Sequence, residues 1–140
     1  MSVPAQPVSV LLVEDSPDDV FFFKRALEKS GVPAHLRIAE DGATAIKLLL
    51  AAEQSLPQLI FLDLKMPNVN GFEVLQWLGR QDFKSALRVI VLTSSDEPRE
   101  IQMARSLGAV DYIIKPVAAE KLRQEFLRAS KVPEPTALNS

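Results

Sequence analysis

The chain has 140 residues, 47% of them hydrophobic and 24% charged, which suits one globular domain with its own core and leaves no length for a separate output domain. Cysteine is absent and His35 is the single histidine, so disulfides, thiolate metal sites, a cysteine nucleophile and a histidine ligand cluster are excluded. A formal net charge of −2 provides no basic stripe for direct nucleic-acid binding; no run is long enough to span a membrane and no secretory signal opens the chain, so a cytoplasmic protein is expected.

The first apolar run, Val8 to Val13, reads as a strand and ends in Glu14-Asp15. A helix should open at Ser16, whose side chain can cap, with Pro17 at the first helical position and Asp18 and Asp19 suiting the positive helix end. It should close near Ser30-Gly31. A second strand, about His35 to Ala39, precedes a helix from Ala43 to Ala52. The third run, Leu59 to Leu62, stops at Asp63, and the loop to Gly71, with Pro67 and Asn70-Gly71 as turn formers, should wrap that strand end. A helix from Phe72 to Gly79, a strand from Arg88 to Thr93, a helix from Glu97 to Leu107, a strand from Val110 to Ile114 and a helix from Ala118 to Lys131 follow. This fivefold alternation predicts an α/β, doubly wound domain over 8–131 with a parallel sheet, flanked by an N-terminal extension, 1–7, and a flexible tail, 132–140.

The chemistry lies at the strand ends. Ends one, three, four and five carry Glu14-Asp15, Asp63, Thr93 and Lys115, and in an open α/β sheet these ends share the crevice where ligands bind. An acid after a strand more often caps a loop, but four such coincidences favour a site. Clustered carboxylates call for a hard, oxygen-preferring cation, Mg²⁺ or Mn²⁺. A carboxylate attacks phosphorus once its charge is offset, so Asp63 is the best candidate nucleophile, with Asp15 and Asp63 holding the metal, Lys115 binding a phosphoryl oxygen and Thr93 donating a hydrogen bond.

Four segments, Val-Glu-Asp-Ser-Pro (13–17), Asp63 with Lys-Met-Pro-Asn-Val-Asn-Gly (65–71), Val-Leu-Thr-Ser-Ser (91–95) and Gly-Ala-Val-Asp-Tyr-Ile-Ile-Lys-Pro (108–116), resemble the motif set of the receiver domain of bacterial two-component response regulators. The resemblance, from Val8 to Lys131, implies a flavodoxin-like (βα)5 fold with strand order 2-1-3-4-5. It also implies that Asp63 takes phosphate from the phosphohistidine of a sensor histidine kinase, with at most slow self-dephosphorylation. Asp15 and Asp63 would ligate the metal directly, Glu14 through water, and the Lys65 backbone carbonyl would add a ligand. Thr93 and Lys115 would bind the phosphoryl group, Lys115-Pro116 would be a cis peptide, and Tyr112 would fall at a rotating aromatic switch. Asn70 departs from a frequent Asp before the glycine, and Glu14 from another frequent Asp, which puts metal affinity in doubt. The opening Glu-Asp-Ser-Pro-Asp-Asp and the Thr-Ser-Ser are similar to single-domain regulators associated with bacterial phytochromes. That subfamily would imply a bacteriophytochrome-type kinase and a homodimer through the fourth helix, fifth strand and fifth helix.

Signalling would then run through surfaces. Thr93 and Lys115 moving toward a phosphoryl group would vacate space into which Tyr112 turns; the alternative is a strand aromatic packed on a neighbour. Met103, Ile114 and Leu127 form either a partner surface or part of the core. Phe21-Phe22-Phe23 spans more of a helix than a core-facing stripe uses: with Phe22, Phe23, Ala26 and Leu27 given to the core, Phe21 and Val20 are left beside the acids to dock helices of the kinase or a phosphotransfer domain, the alternative being one ring folded over the last helix near Phe126. Ser95 and Lys65 would flank the path of attacking water. A flavodoxin-type electron carrier is opposed by Glu14-Asp15 where a flavin phosphate would sit, and an aspartate phosphohydrolase by Lys65 where its general acid would stand. A phosphorylation-independent, receiver-like binding module remains the alternative function.

Overall fold

A computed structural model describes residues 7–52, 56–66, 70–82, 86–94 and 97–130. Five strands alternate with five helices: β1 Val8–Val13, α1 Pro17–Ser30, β2 Ala34–Ala39, α2 Gly42–Ala52, β3 Leu59–Asp63, α3 Gly71–Gly79, β4 Arg88–Thr93, α4 Pro98–Ser106, β5 Asp111–Ile114 and α5 Ala119–Ser130. All strand pairs are parallel, in the order β2-β1-β3-β4-β5. The expected fold is therefore present, with element ends within one residue of the sequence reading, the precision that fraying ends allow. The extension at 1–6, the middle of the loop at 67–69, Ser95 and the tail from 131 lie outside the described residues.

The apolar strands become the sheet's centre because both faces of a parallel sheet are covered by crossover helices. β3 is buried at every position, and β1 and β4 nearly so, whereas edge strand β2 alternates. Successive strand side chains go to opposite faces, which divides the core in two. Leu11, Val13, Ile60, Leu62, Val89 and Val91 pack with α2, α3 and α4, and Trp77 and Tyr112 lie against that layer. Leu12, Phe61, Ile90, Leu92 and Ile113 pack with α1 and α5. There Phe23 meets Phe61 edge-on at 5.0 Å, and Phe61 stacks on Phe126 at 6.2 Å. The register sets Val13 beside Leu62, Asp63 beside Leu92 and Thr93 beside Ile114, so the strand ends finish level.

Helix α1 corrects one expectation. Phe23, Ala26 and Ser30 form its buried stripe, at spacings of three and four residues, and Phe22, one residue and 100° away, falls outside it. Phe21 and Phe22 are 54% and 53% exposed, so Phe22 is not a core residue. The two rings touch edge-on at 5.6 Å, and the Arg25 guanidinium lies 5.8 Å from the Phe21 ring centre.

Candidate functional site

Beyond the level strand ends lies a cleft of about 510 Å³, lined by Glu14, Asp15, Asp19, Phe22, Asp63, Lys65, Ser94 and Lys115 among others. Each wall is built locally. Asp63 is the last residue of β3 and 5% exposed; the Lys65 N–H donates to its Oδ1 at 3.0 Å and Lys115 Nζ to its Oδ2 at 3.3 Å. Both oxygens are thus held, with the chain turning away so that the carboxylate faces the cleft. Glu14, just past β1, is 1% exposed and accepts the Ser16 N–H at 3.2 Å. Asp15 is exposed at the rim. Ser16 caps α1, its side chain accepting from the Asp19 N–H.

Lys115 follows β5, its N–H donating to the Thr93 carbonyl at 2.7 Å; the Lys115-Pro116 peptide is cis. Its ammonium lies 2.8 Å from Asp19 Oδ2, 2.9 Å from Glu14 Oε1 and 3.3 Å from Asp63 Oδ2. Burial acts to lower the lysine's pKa, but Asp19 and Glu14, with Asp63, overrule it and hold the ammonium charged well above the ordinary range. Burial, with Asp63 alongside, pushes the Glu14 carboxyl up to about 7, Lys115 opposing. The contact between Lys115 and Asp19 has no counterpart in the sequence reading. Its only signal is an acid in the first turn of α1, which also reads as a helix-end charge.

The donor set fits a cation. One carboxylate oxygen from each of Glu14, Asp15 and Asp63 gathers within 4.8 Å of the others, and buried Glu14 Oε1, though 2.9 Å from the Lys115 ammonium, has no aligned hydrogen bond among the described residues. Lys65 pairs with Glu100 at 3.7 Å, so among the described residues Lys115 is the lysine paired with the four acids; charge and coordination are both incomplete, and a hard divalent ion supplies both.

Thr93 is buried at the end of β4, while Ser94 lines the cleft. Tyr112 is half-buried against the α2–α4 layer, with the Arg105 guanidinium 5.4 Å from its ring centre. Arg105 also lies 3.8 Å from Asp111, and Arg128 joins Asp111 to Glu125 at 3.0 and 3.1 Å. Arg88 completes this network across β4, β5, α4 and α5 at 3.3 Å from Glu125. On that side Met103 is 52% and Ile114 41% exposed, whereas Leu127 is half-buried. Phe22 and the buried Phe23, not Phe21, line the cleft beside the acids. Asn70 caps α3 reciprocally with Glu73, so the residue that departs from the frequent Asp has a structural task.

Residues 10–127 match the model of the response regulator receiver domain. PilH of Pseudomonas aeruginosa is 34% identical over 81% of this chain and 89% of its own length. In longer relatives the chain spans as little as 25% of the protein, as in a probable cyclic di-GMP phosphodiesterase of Vibrio cholerae, 32% identical over 82% of this chain. Among solved structures, bacteriophytochrome response regulator RtBRR superposes with a TM-score of 0.77 at 32% identity, covering 96% of this chain and 84% of that one. The phosphorylated cyanobacterial phytochrome response regulator RcpA gives 0.74 at 29% identity, covering 90% and 93%. The Mn²⁺-bound form of response regulator Rcp1 gives 0.68 at 28% identity, covering 96% and 100%. Receiver domains are signalling domains that take their input from sensor histidine kinases and bind Mg²⁺ or Mn²⁺ in an acidic pocket. With that pocket formed at the ends of β1, β3 and β5, and the family's match running from Val10 in β1 to Leu127 in α5, the chain belongs to the response regulator receiver domain family.

Proposed function

We propose that Asp63 is the phosphoacceptor of a response regulator receiver domain. What carries this reading is the seating of Asp63: a buried strand-end carboxylate with one oxygen held by a backbone N–H and the other by Lys115, beside acids with too little countercharge. One Asp63 oxygen forms a bond to phosphorus as the P–N bond of a donor phosphohistidine breaks, the electron pair leaving with the imidazole nitrogen. Asp15, Asp63, Glu14 and the Lys65 carbonyl would hold Mg²⁺ or Mn²⁺, which would supply positive charge to offset that of the phosphoryl oxygens. Lys115 exchanges a carboxylate for a phosphoryl oxygen, and Thr93 donates to another. Incubating the protein with Mg²⁺ and a small acyl-phosphate donor should add one phosphoryl group by intact mass, and none to Asp63→Asn or in chelator. A folded wild type that stays unlabelled by both the small donor and a kinase would favour the phosphorylation-independent module.

Two surfaces would carry the signal in and out. A phytochrome-type kinase is the donor that the likeness to RtBRR and RcpA supports, and the exposed Phe21 and Phe22, with Phe22 at the cleft, suit docking of its helices. For output, phosphorylation adds about −1.5 to −2 charge; Thr93 and Lys115 draw toward it, Tyr112 turns into the vacated space, and the face bearing Met103, Ile114 and Leu127 on α4, β5 and α5 pairs with a second copy. Kinase-driven phosphorylation followed by sedimentation tests both. Phe22→Ala should slow transfer from the kinase about tenfold or more, a hot-spot loss, and should slow labelling by the small donor far less. Ile114→Glu and Tyr112→Ala should leave the phosphorylated protein monomeric. Equal slowing with both donors, or a wild type that is monomeric in its phosphorylated state, would remove the respective surface.

A further inference from the structure

Asp19 lies outside the group of acids that gathers for a cation, yet it makes the shortest contact with the lysine that neutralises them. Two of the three carboxylates around Lys115, Glu14 and Asp63, belong to the trio whose oxygens converge within 4.8 Å. The ammonium and a cation therefore compete for the same oxygens. Asp19, outside that trio, accepts a hydrogen bond from the ammonium at 2.8 Å.

The placement of Asp19 follows from the start of α1. Ser16 caps the helix and Pro17 begins it, so Asp19 occupies the third helical position, its N–H held by the Ser16 hydroxyl at 3.3 Å. Its side chain is 36% exposed where that of Glu14 is 1% exposed. Asp19 accordingly takes the ammonium from nearer the mouth of the cleft, while Glu14 Oε1, 2.9 Å from the nitrogen, pairs with it by charge but without an aligned hydrogen bond among the described residues. Without Asp19, the ammonium, already 2.9 Å from Glu14 and 3.3 Å from Asp63, is shared by those two carboxylates alone, and each holds it more tightly against a competing cation.

We propose that Asp19 is a positioning residue that draws the Lys115 ammonium toward the cleft mouth, keeping Glu14 and Asp63 available to a divalent cation and the lysine poised for a phosphoryl oxygen. This rests on the phosphoacceptor reading of the same site. Asp19→Asn keeps the shape and removes the charge. Asp18→Asn removes a charge from the adjacent, exposed position of the same helical turn, so it reports the effect of the general field alone.

The experiment is calorimetric titration of the unphosphorylated full chain with Mg²⁺, for wild type, Asp19→Asn, Asp19→Glu and Asp18→Asn, with melting in chelator as the test of folding. Loss of a charge-assisted hydrogen bond predicts a dissociation constant raised about tenfold in Asp19→Asn, less than about twofold in Asp18→Asn at physiological salt, and partly restored in Asp19→Glu. Equal shifts in Asp19→Asn and Asp18→Asn would reduce the role of Asp19 to its field and overturn the proposal. So would an unchanged affinity in Asp19→Asn, or the absence of Mg²⁺ binding by wild type. Acyl-phosphate labelling of wild type separates the two readings: labelling with an unchanged Asp19→Asn titration refutes only the proposal, whereas the expected titration without labelling by any donor refutes only the phosphoacceptor role.

Discussion

Replacing Gly71 by alanine is expected to lower stability by about 3 kcal/mol, the upper part of the usual overpacking range, and to cut acyl-phosphate labelling of Asp63 by about a hundredfold. Gly71 opens α3 directly over the end of β3, its N–H donating to the Leu64 carbonyl at 3.2 Å. A methyl group there would stand 2.5 Å from the Asp63 carbonyl oxygen, 2.6 Å from Leu64 Cα and 3.1 Å from the Asp63 carbonyl carbon. All three are backbone atoms, so no side chain can swing aside. Either the start of α3 lifts, at the expense of the Asn70–Glu73 capping box, or the strand end carrying Asp63 shifts. The second movement misplaces the reacting oxygen, and displacement of about 1 Å costs about a hundredfold in rate. Chemical denaturation and intact-mass labelling measure the two effects; a stability within about 0.5 kcal/mol of wild type, the range of an ordinary surface change, would show that the helix yields freely.

The legible and illegible parts of this molecule differ in kind. Val8 to Val13, Leu59 to Leu62 and Arg88 to Thr93 are short apolar runs bounded by polar residues, and burial on both faces of a parallel sheet requires such runs. Their ends were legible for the same reason: Glu14, Asp15, Asp63, Thr93 and Lys115 each stop or follow a run, and strand register does the rest. What escaped was contact between elements distant in sequence. Asp19 and Lys115 are 96 residues apart, and an acid at a helix start has a sufficient local explanation in the helix dipole. Phe22 was misassigned because three consecutive aromatics offer no phase. Only the packing of Phe23 on Phe61 settles the rotation of α1, and that contact is tertiary. The rim of the cleft is thus harder to read than its floor.

Replacing Lys115 by methionine should expose how much of the site is held by this single cation. Its ammonium is 16% exposed on the side chain and within 3.3 Å of Glu14, Asp19 and Asp63; removing one partner from a buried ionic cluster costs about 3–5 kcal/mol when the remaining charges stay ionised. Glu14 offers a partial escape. Its carboxyl is already pushed up to about 7, and Lys115 is the neighbour opposing that rise, so the variant should raise it further. A carboxyl whose folded value exceeds its unfolded one contributes stability below the unfolded value and loses it as pH rises through the folded one. Wild type should therefore lose stability between the ordinary carboxyl value of 4.5 and about 7, and the variant should continue to lose it above that. The gap between the two is expected to stay nearly constant up to pH about 7, where both folded carboxyls remain protonated, and to widen by about 1.4 kcal/mol for the first pH unit above it. Mg²⁺ should then narrow it. With no ammonium competing for Glu14 and Asp63, the variant binds the cation more tightly, and binding to the folded state alone adds RT ln(1 + [L]/Kd) to stability. Denaturation curves across pH, with and without Mg²⁺, decide the matter. A gap that is constant with pH, or that Mg²⁺ widens, would mean that Lys115 supports the fold through packing of its stem rather than by occupying the cation's place among the acids.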